Sequence, residues 1–265
     1  MTSNIPHILM HPSKALPQSP WAVSSALPSR IDPSLLVEEE SSPYYEPTYF
    51  YPARIGEILH DRYQIATKLG HGSRSSVWLA RDLHQWCWSN QRYVALKINS
   101  NNSHAWKAAG DVEMEVLRHI TRANCQHEGW RFVRKLLDSF PVQGISGRHV
   151  CLVFEPLRES LGNYCQRWQD GVMPPEIFKI ILQEILQAVD YLHTECHIIH
   201  TGTLKKEDLI PSKFSSESTL SMFNGEEKRI FISFINRMIK WKPEERSTAK
   251  DLLLDPWLHN DYPQI

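Results

Sequence analysis

Three short runs rich in β-branched and aromatic residues constrain the fold of this chain most strongly. They are Tyr63–Gly70, Ser75–Asp82 and Tyr93–Ser100. A cluster of glycine and serine separates the first two runs, and a polar insertion at Leu83–Arg92 separates the second from the third. Short runs of this composition, bounded by turn-forming residues, are typical of strands that follow one another in a sheet. The pattern predicts a strand meander that begins at Tyr63.

A helix and two further strands are predicted to complete this sheet. A helical stretch is expected around Ala108–Thr121, where apolar residues recur at helical spacing. Two apolar runs follow, at Phe132–Phe140 and at His149–Leu157, and a glycine-bearing turn splits them. The first half of the chain is therefore predicted to form a five-stranded antiparallel sheet with one helix.

After Leu157 the apolar periodicity becomes helical. Apolar residues between Phe178 and Leu192 are spaced by three and four, behind two prolines that suit a first helical turn. Further helices are predicted at Glu226–Trp241 and at Thr248–Leu254, where Thr248 and Asp251 have the spacing of a capping box. The fold class is therefore predicted to be α+β, with an α-rich second half.

The N-terminal region differs in composition from the rest of the chain. Nine of the 17 prolines precede residue 53, and the first acidic residue is Asp32. Proline interrupts both helices and strand ladders, so we predict a disordered tail rich in proline and serine over residues 1–45. An organellar transit peptide is the alternative, but Lys14 and Arg30 are its only basic residues before Asp32.

Charge and hydropathy argue against several classes of partner. The formal net charge is −1, which gives no global field for nucleic acid or an anionic membrane. No run approaches the roughly 18 apolar residues of a membrane span. The five cysteines include no Cys-x-x-Cys pair, as expected for reduced thiols. We predict no direct nucleic-acid or membrane partner and a cytoplasmic or nuclear location, or both.

The first turn of the meander has the form of a phosphate-covering loop. Residues Leu69–Val77 read G-x-G-x-x-S-x-V, with Ser75 in place of the third glycine. Between two strands such a loop covers the phosphates of ATP in kinases, whereas a dinucleotide-binding fold would place a helix after it. Gly70 and Gly72 would let the backbone approach phosphate oxygens. A hairpin turn that merely needs glycine is the alternative.

A single lysine interrupts the third predicted strand. Lys97 follows Gly72 by twenty-five residues and lies in the otherwise apolar run Val94–Ile98. A lysine on a buried strand face is costly unless it meets an anion. The candidate carboxylate is Glu113 in the following helix, with Glu115 as the fallback. A surface lysine whose stem packs on apolar groups is the alternative.

The order of these elements resembles that of eukaryotic protein kinases. The resemblance is strongest to kinases specific for serine/arginine-rich proteins, especially those of fungi, and rests on Arg54–Tyr63, Ser76–Leu79 and Tyr191–Thr201. It implies a bilobal fold, with an N-lobe and hinge at residues 46–157 and a truncated α-helical C-lobe at residues 158–261. It also implies transfer of the γ-phosphoryl of ATP to serines in arginine/serine-rich proteins.

The resemblance implies an ATP site as well. Phe154 would flank the adenine pocket, and the backbone of Glu155 and Leu157 would face the base. The predicted nucleotide-binding residues are Leu69, Gly70, Gly72, Ser75, Val77, Ala95, Lys97, Glu113, Phe154, Glu155 and Leu157.

The chain departs from the family at the catalytic loop. The family follows the His-Thr pair with a catalytic aspartate, a lysine and a metal-binding asparagine, but Gly202 follows His200 and Thr201 here. A shifted frame would place Lys205 near the transferring phosphate and leave the base position empty. We therefore predict no catalytic residue, only a degenerate loop that contains His200, Gly202 and Lys205.

The metal-binding segment of the family is missing as well. No Asp-Phe-Gly follows His200, and only 45 residues lie between His200 and Arg246. Mg²⁺, which the family uses with ATP, thus lacks its main protein ligand. We expect little or no phosphoryl transfer by this truncated chain. The alternative is a non-catalytic pseudokinase module that binds nucleotide or a partner.

A metal site formed by histidine and cysteine is an alternative interpretation of the segment around His197. His193, Cys196, His197 and His200 have the spacing of ligands along one helical face. The stretch coincides with the end of a predicted helix, where the histidine corresponding to His200 in the family is usually a hydrogen-bonding structural residue. No metal ligand is predicted.

Overall fold

The computed structural model describes residues 18–22, 32, 35–41, 45–85, 93–101, 104–145, 147–168, 171–199, 225–240 and 243–260. The chain divides into two compact units, which are described separately. The first comprises Met1–Glu115 and Leu136–Leu157, and the second comprises Val116–Lys135 and Arg158–Ile265. The limits predicted for the tail and the two lobes stay predictions.

The first unit is built on one antiparallel sheet. Its strands are β1 Ile58–Leu59, β2 Tyr63–Gly72, β3 Ser75–Asp82, β4 Tyr93–Asn99, β5 Leu136–Gly144 and β6 Gly147–Phe154. Their order across the sheet is β1-β2-β3-β4-β6-β5. The predicted meander corresponds to β2, β3 and β4, which pair in sequence order. The second predicted pair forms the hairpin of β5 and β6.

The sheet has six strands, whereas the sequence predicted five. The additional strand, β1, pairs with the start of β2. The intervening turn uses His60 and Asp61, whose φ angles of 54° and 51° are left-handed; His and Asp adopt this region more readily than most residues. A two-residue strand is too short for alternating polarity to reveal it, which explains the wrong count.

Alternation along the strands gives the sheet two different faces. One face carries the apolar core, which includes Tyr63, Ile65, Ala80, Leu96, Ile98, Cys151 and Val153. The intervening residues Val77, Ala95 and Lys97 therefore lie on the opposite face, called the Lys97 face below. Helix α1, His104–Arg122, follows β4. A side chain added at Gly110 of α1 would lie 3.5 Å from Asn99 and Val150, so the helix packs closely against this face.

Two described parts of the predicted tail contact the sheet. Residues 18–22 hydrogen-bond with β2 and β3 and with the chain just after β3. The 3₁₀ turn Glu38–Ser41 lies against β2, where Glu38 Oε2 is 2.6 Å from Lys68 Nζ and Glu39 also binds Lys68. Burial disfavours the Lys68 cation, but these two carboxylates outweigh it and raise the pKa of Lys68. The disordered tail predicted over residues 1–45 stays a prediction, and residues 1–17 lie outside the described residues.

The second unit is helical and has a core of its own. Its helices are α2 Leu161–Cys165, α3 Pro175–Thr194, α4 Gly225–Met238, α5 Ala249–Leu253 and α6 Pro256–His259. They bury a cluster that includes Leu182, Leu186, Phe231, Phe234, Leu252 and Trp257. The predicted capping box at the start of α5 is confirmed, because Thr248 and Asp251 hydrogen-bond reciprocally. Among the described residues, none of the helices is both long and apolar enough to cross a membrane.

The strand predicted to start at Phe132 starts four residues later. Residues Glu128–Phe132 form a 3₁₀ turn instead, which begins where the His127 ring accepts a hydrogen bond of 3.1 Å from the Gly129 N–H. The Trp130 indole donates to the Thr121 carbonyl at 3.1 Å. The capping contact and the indole contact thus hold a turn that includes Phe132, and the strand begins only after it.

Candidate nucleotide-binding site

The glycine-rich segment forms the hairpin between β2 and β3. Gly72 pairs with Ser75 across the turn, and the register shifts between Lys68 and Gly70. Gly70 has a φ of +156° and open space where a side chain would be. Its φ and the register shift show that the strand is irregular at this glycine. The turn is thus a bulged strand–turn–strand loop whose backbone is accessible from one side.

Residues predicted to contact nucleotide lie in rows across the sheet. Lys97 pairs with Val77 on one side and with Leu152 on the other. Two residues earlier on β4, Ala95 pairs with Leu79 and Phe154. Because residues in one row share a face, Val77, Ala95, Lys97 and Phe154 all belong to the Lys97 face.

An ion pair links this face to helix α1. Lys97 Nζ donates to Glu113 Oε1. The second carboxylate oxygen accepts a hydrogen bond of 3.1 Å from the Asn99 side-chain amide. The fallback residue Glu115 lies two positions further along α1 and is exposed. Glu113 is therefore the carboxylate that the structure brings to Lys97.

A cavity of about 340 Å³ lies between the glycine turn and this ion pair. The turn from Gly72 to Ser75 forms one side, and Lys97, Asn99 and Glu113 form the other. The Lys97 side chain is 29% exposed, so its ammonium is accessible. Backbone N–H groups of a turn together with an accessible ammonium form a donor set that suits phosphate oxygens.

The predicted hinge follows β6 directly. Phe154 ends the strand and is buried, whereas Glu155 and Leu157 are exposed. A second cavity, of about 520 Å³, reaches Glu155 and Pro156 and is also lined by Tyr93. The backbone of the hinge is thus accessible within the first unit. Leu69, the first residue of the glycine-rich segment, is 49% exposed.

Asn99 and His149 belong to the site but were not predicted from the sequence. The Asn99 amide binds Glu113, and its backbone carbonyl lies 2.9 Å from His149 Nδ1. The His149 ring is almost completely buried. Asn99 lies two residues after Lys97, so strand alternation alone would have placed it on the same face. The contact from His149 joins residues fifty apart and has no local sequence signal.

The degenerate catalytic loop lies outside the described residues, and so do His200, Gly202 and Lys205. Of the four residues that could form a metal site, the structure describes His193, Cys196 and His197. Helix α3 ends at Thr194, and the His197 φ is 55°, so Cys196 and His197 do not continue the helical face of His193. The Cys196 carbonyl is instead 3.0 Å from the His119 ring.

Comparison with known proteins gives matches over most of this region. The family model described as "Protein kinase domain" matches residues 63–214. A serine/threonine protein kinase of Aspergillus fumigatus is 36% identical over 198 residues, which cover 72% of this chain and 48% of the relative. SRSF protein kinase 3 of Mus musculus is 33% identical over 173 residues, which cover 65% of this chain and 29% of the relative. The chain thus spans half or less of the length of these two relatives.

A solved structure was also matched. The crystal structure of a kinase domain aligns with a TM-score of 0.44 and 24% identity, over 55% of this chain and 39% of that chain.

Proposed function

Because the chain belongs to the protein kinase family, we propose that it is a nucleotide-binding member that transfers little or no phosphate. The family model covers more than half of the chain, and this match confirms the predicted kinase fold. The relatives are serine/threonine kinases, among them an SRSF protein kinase. The resemblance to kinases of serine/arginine-rich proteins is therefore confirmed at the level of the family.

The ion pair between Lys97 and Glu113 is the observation that carries the proposal of ATP binding. Protein kinases need this pair of a strand lysine and a helix glutamate in place when they hold the phosphates of ATP. Here the pair faces a cavity bounded by the glycine turn. The donor set fits phosphate, and Val77, Ala95 and Phe154, the residues proposed to contact the base, lie on the same face of the sheet as Lys97.

The proposal of little or no transfer rests on the loop after His200. Gly202 stands where the family has its catalytic aspartate, and no Asp-Phe-Gly follows. The carboxylate that lines the described cavity, Glu113, already binds Lys97 and Asn99. These residues do not fit a Mg²⁺ site. Loss of a general base alone lowers a rate by about 10² to 10⁴.

The proposed substrate class rests only on the similarity of this chain to its relatives. One relative is named for SRSF proteins, so serines in arginine/serine-rich segments are the substrates or binding partners we propose. A cytoplasmic or nuclear location is proposed on the same basis. If transfer is absent, the chain is a pseudokinase module that holds nucleotide or such a partner without modifying it.

The test is a phosphoryl-transfer assay with the purified chain, labelled ATP, Mg²⁺ and an arginine/serine-repeat peptide. We expect incorporation no higher than that of the Lys97→Met variant. Incorporation that exceeds this control and depends on Lys97 would contradict the proposal. ATP binding is measured separately by equilibrium dialysis, and the complete absence of binding would overturn the nucleotide-binding part.

A further inference from the structure

Three polar or aromatic side chains form a row across the sheet, and none of them lines the cavity beside the glycine turn. Gln64 of β2 pairs with Arg81 of β3, and Arg81 pairs with Tyr93 of β4. Gln64 is flanked by the core residues Tyr63 and Ile65, so alternation places it on the face opposite the core. The row Gln64–Arg81–Tyr93, called the docking row below, therefore belongs to the Lys97 face.

Gln64 is only 1% exposed although it is polar and faces away from the core. Its side chain is covered because it binds the main chain of Trp21 in both directions. The Trp21 N–H donates to Gln64 Oε1 at 2.8 Å, and Gln64 Nε2 donates to the Trp21 carbonyl at 3.0 Å and to the Gly56 carbonyl at 3.2 Å. The amide thus pairs with an extended segment as a neighbouring strand would.

Arg81 and the chain after β3 recognise Gln18 in the same segment. Arg81 Nε donates to Gln18 Oε1 at 2.9 Å, and Arg81 Nη1 donates to the Ser19 carbonyl at 3.2 Å. The Gln18 N–H donates to the Leu83 carbonyl at 2.7 Å. The Gln18 side-chain amide also donates to the Gln85 carbonyl. All polar groups of the Gln18 side chain therefore have partners.

The third recognised group is the indole of Trp21. The Arg81 guanidinium carbon lies 5.1 Å from the centre of an indole ring, within the range of a cation–π interaction. The centre of the Tyr93 ring lies 6.4 Å from the centre of the indole ring. Each member of the docking row thus touches residues 18–22, which precede it by more than forty positions in the sequence.

These contacts are specific because the buried amide needs them. A buried side-chain amide destabilises the fold unless its donor and acceptor groups are hydrogen-bonded, and Trp21 supplies two of the three hydrogen bonds described above for the Gln64 side chain. We propose that the docking row is a peptide-docking site for an extended Gln-x-x-Trp segment, which the chain fills with its own residues 18–22.

The docking row lies next to residues that are proposed to contact the nucleotide base. Tyr93 lies two residues before Ala95 on β4, about 7 Å along the strand. Tyr93 also lines the cavity that reaches the hinge residue Glu155. The docked segment therefore borders the surface proposed for the nucleotide base. The docking itself does not depend on ATP binding, so it can be tested without nucleotide.

Hydrogen exchange of the intact chain tests the proposal directly. The amides of Gln18 and Trp21 should exchange at least tenfold more slowly than those of an unstructured peptide with the same sequence. Gln64→Leu and Arg81→Ala should each remove this protection, while the amides of β5 and β6 stay protected. Arg148→Ala is the matched control, because Arg148 is an exposed arginine on the same sheet. Unprotected amides in the unaltered chain, or protection that survives Gln64→Leu, would overturn the proposal.

A second measurement separates docking within one chain from exchange between chains. A labelled peptide of residues 15–25 should bind the full-length Gln18→Ala/Trp21→Ala variant, whose site is empty, at least tenfold more tightly than the unaltered chain. A peptide with Trp21 replaced by alanine should not bind. Equal binding to both proteins, or Trp21 protection that rises with protein concentration, would show that the chain does not fill its own site.

Discussion

The Lys97 ammonium and the Glu113 carboxylate form an ion pair between β4 and α1, and the Asn99 amide holds the other carboxylate oxygen. The two charged side chains are 29% and 36% exposed. Ion pairs with this much exposure are screened by water and contribute at most about 1 kcal/mol to stability. The pair therefore fixes the position of Lys97 more than it stabilises the fold.

Replacing Lys97 should accordingly affect ligand binding more than folding. We expect Lys97→Met to lower ATP affinity about tenfold, because one charge-assisted contact to phosphate is worth about 1.5 kcal/mol or more. The free energy of unfolding should change by less than about 1 kcal/mol. Nucleotide titration and urea denaturation measure the two effects. Lys250→Met, at an exposed helical position, is the control and should alter neither.

Magnesium should have little influence on nucleotide binding. The chain contains no Asp-Phe-Gly after His200, and the carboxylate at the described cavity is engaged by Lys97 and Asn99. Calorimetric titration of ATP should therefore give weak binding that is nearly the same with Mg²⁺ and with a chelator. A large tightening by Mg²⁺ would mean that another acidic residue supplies the missing ligand.

Much of the sheet and of the site could be predicted because their signals are local. Strand alternation and the glycine turn define β2 and β3, and the lone lysine of an apolar strand marks Lys97. The partner Glu113 follows from its place in the next helix. The two-residue strand β1 and the 3₁₀ turn at Glu128–Phe132 carry no comparable periodicity. For this reason β1 was missed, and the strand after the turn was predicted to start at Phe132 and not at Leu136.

The contacts of the N-terminal region could not be predicted for a different reason. Residues 18–22 belong to the segment that composition predicts to be disordered, and their contacts are with side chains more than forty residues away, chiefly Gln64 and Arg81. The same holds for the contact between His149 and Asn99. The composition of a segment carries no information about contacts with residues so distant in the sequence.

Gly129 should be among the least replaceable residues of the second unit. A Cβ atom there would lie 1.9 Å from the Gln187 carbonyl oxygen and 2.8 Å from Tyr191 Cβ, both on α3. The 3₁₀ turn would have to move away from the helix, so Gly129→Ala should lower the free energy of unfolding by about 3 kcal/mol. Gly162→Ala is the control, because its nearest neighbour would be 3.9 Å away. Equal denaturation midpoints for both variants would contradict the close approach of this turn to α3.

The buried His149 should make the first unit sensitive to acid. Burial lowers the pKa of His149, although its hydrogen bond to the Asn99 carbonyl acts in the opposite direction. The unfolded chain, with a histidine pKa of about 6.5, then binds more protons than the folded chain. The free energy of unfolding should therefore be unaffected by His149 above the unfolded pKa of about 6.5. It should fall as the pH drops below this value towards the lower pKa of the folded state.

Urea denaturation from about pH 7.5 to about pH 5.5 measures this loss. His149→Gln retains a donor for Asn99 but does not titrate, so its stability should depend less on pH than that of the unaltered chain. His84→Gln removes an exposed histidine and serves as the control. An unchanged pH dependence in His149→Gln would show that other groups cause the acid sensitivity.

The buried pair of Lys179 and Glu227 joins α3 to α4 in the second unit. Its Nζ and Oε1 atoms are 3.3 Å apart, and the two side chains are only 10% and 4% exposed. Lys179 also donates to the Asn260 carbonyl at 2.8 Å and lies 5.2 Å from the centre of the Trp257 ring. One cation thus connects α3, α4 and the C-terminal turn after α6.

Removing both charges of this pair together should cost less stability than the sum of the losses from removing each charge alone. Lys179→Met leaves the Glu227 carboxylate buried without its cation, so the free energy of unfolding should fall by about 3–5 kcal/mol. Lys179→Met combined with Glu227→Gln should cost less than the sum of the two single changes, and the difference measures their coupling. Arg229→Met breaks the exposed ion pair with Glu226 on the same helix and should leave the denaturation midpoint unchanged. Additive losses in the double variant would show that Lys179 acts through Asn260 and Trp257 and not through Glu227.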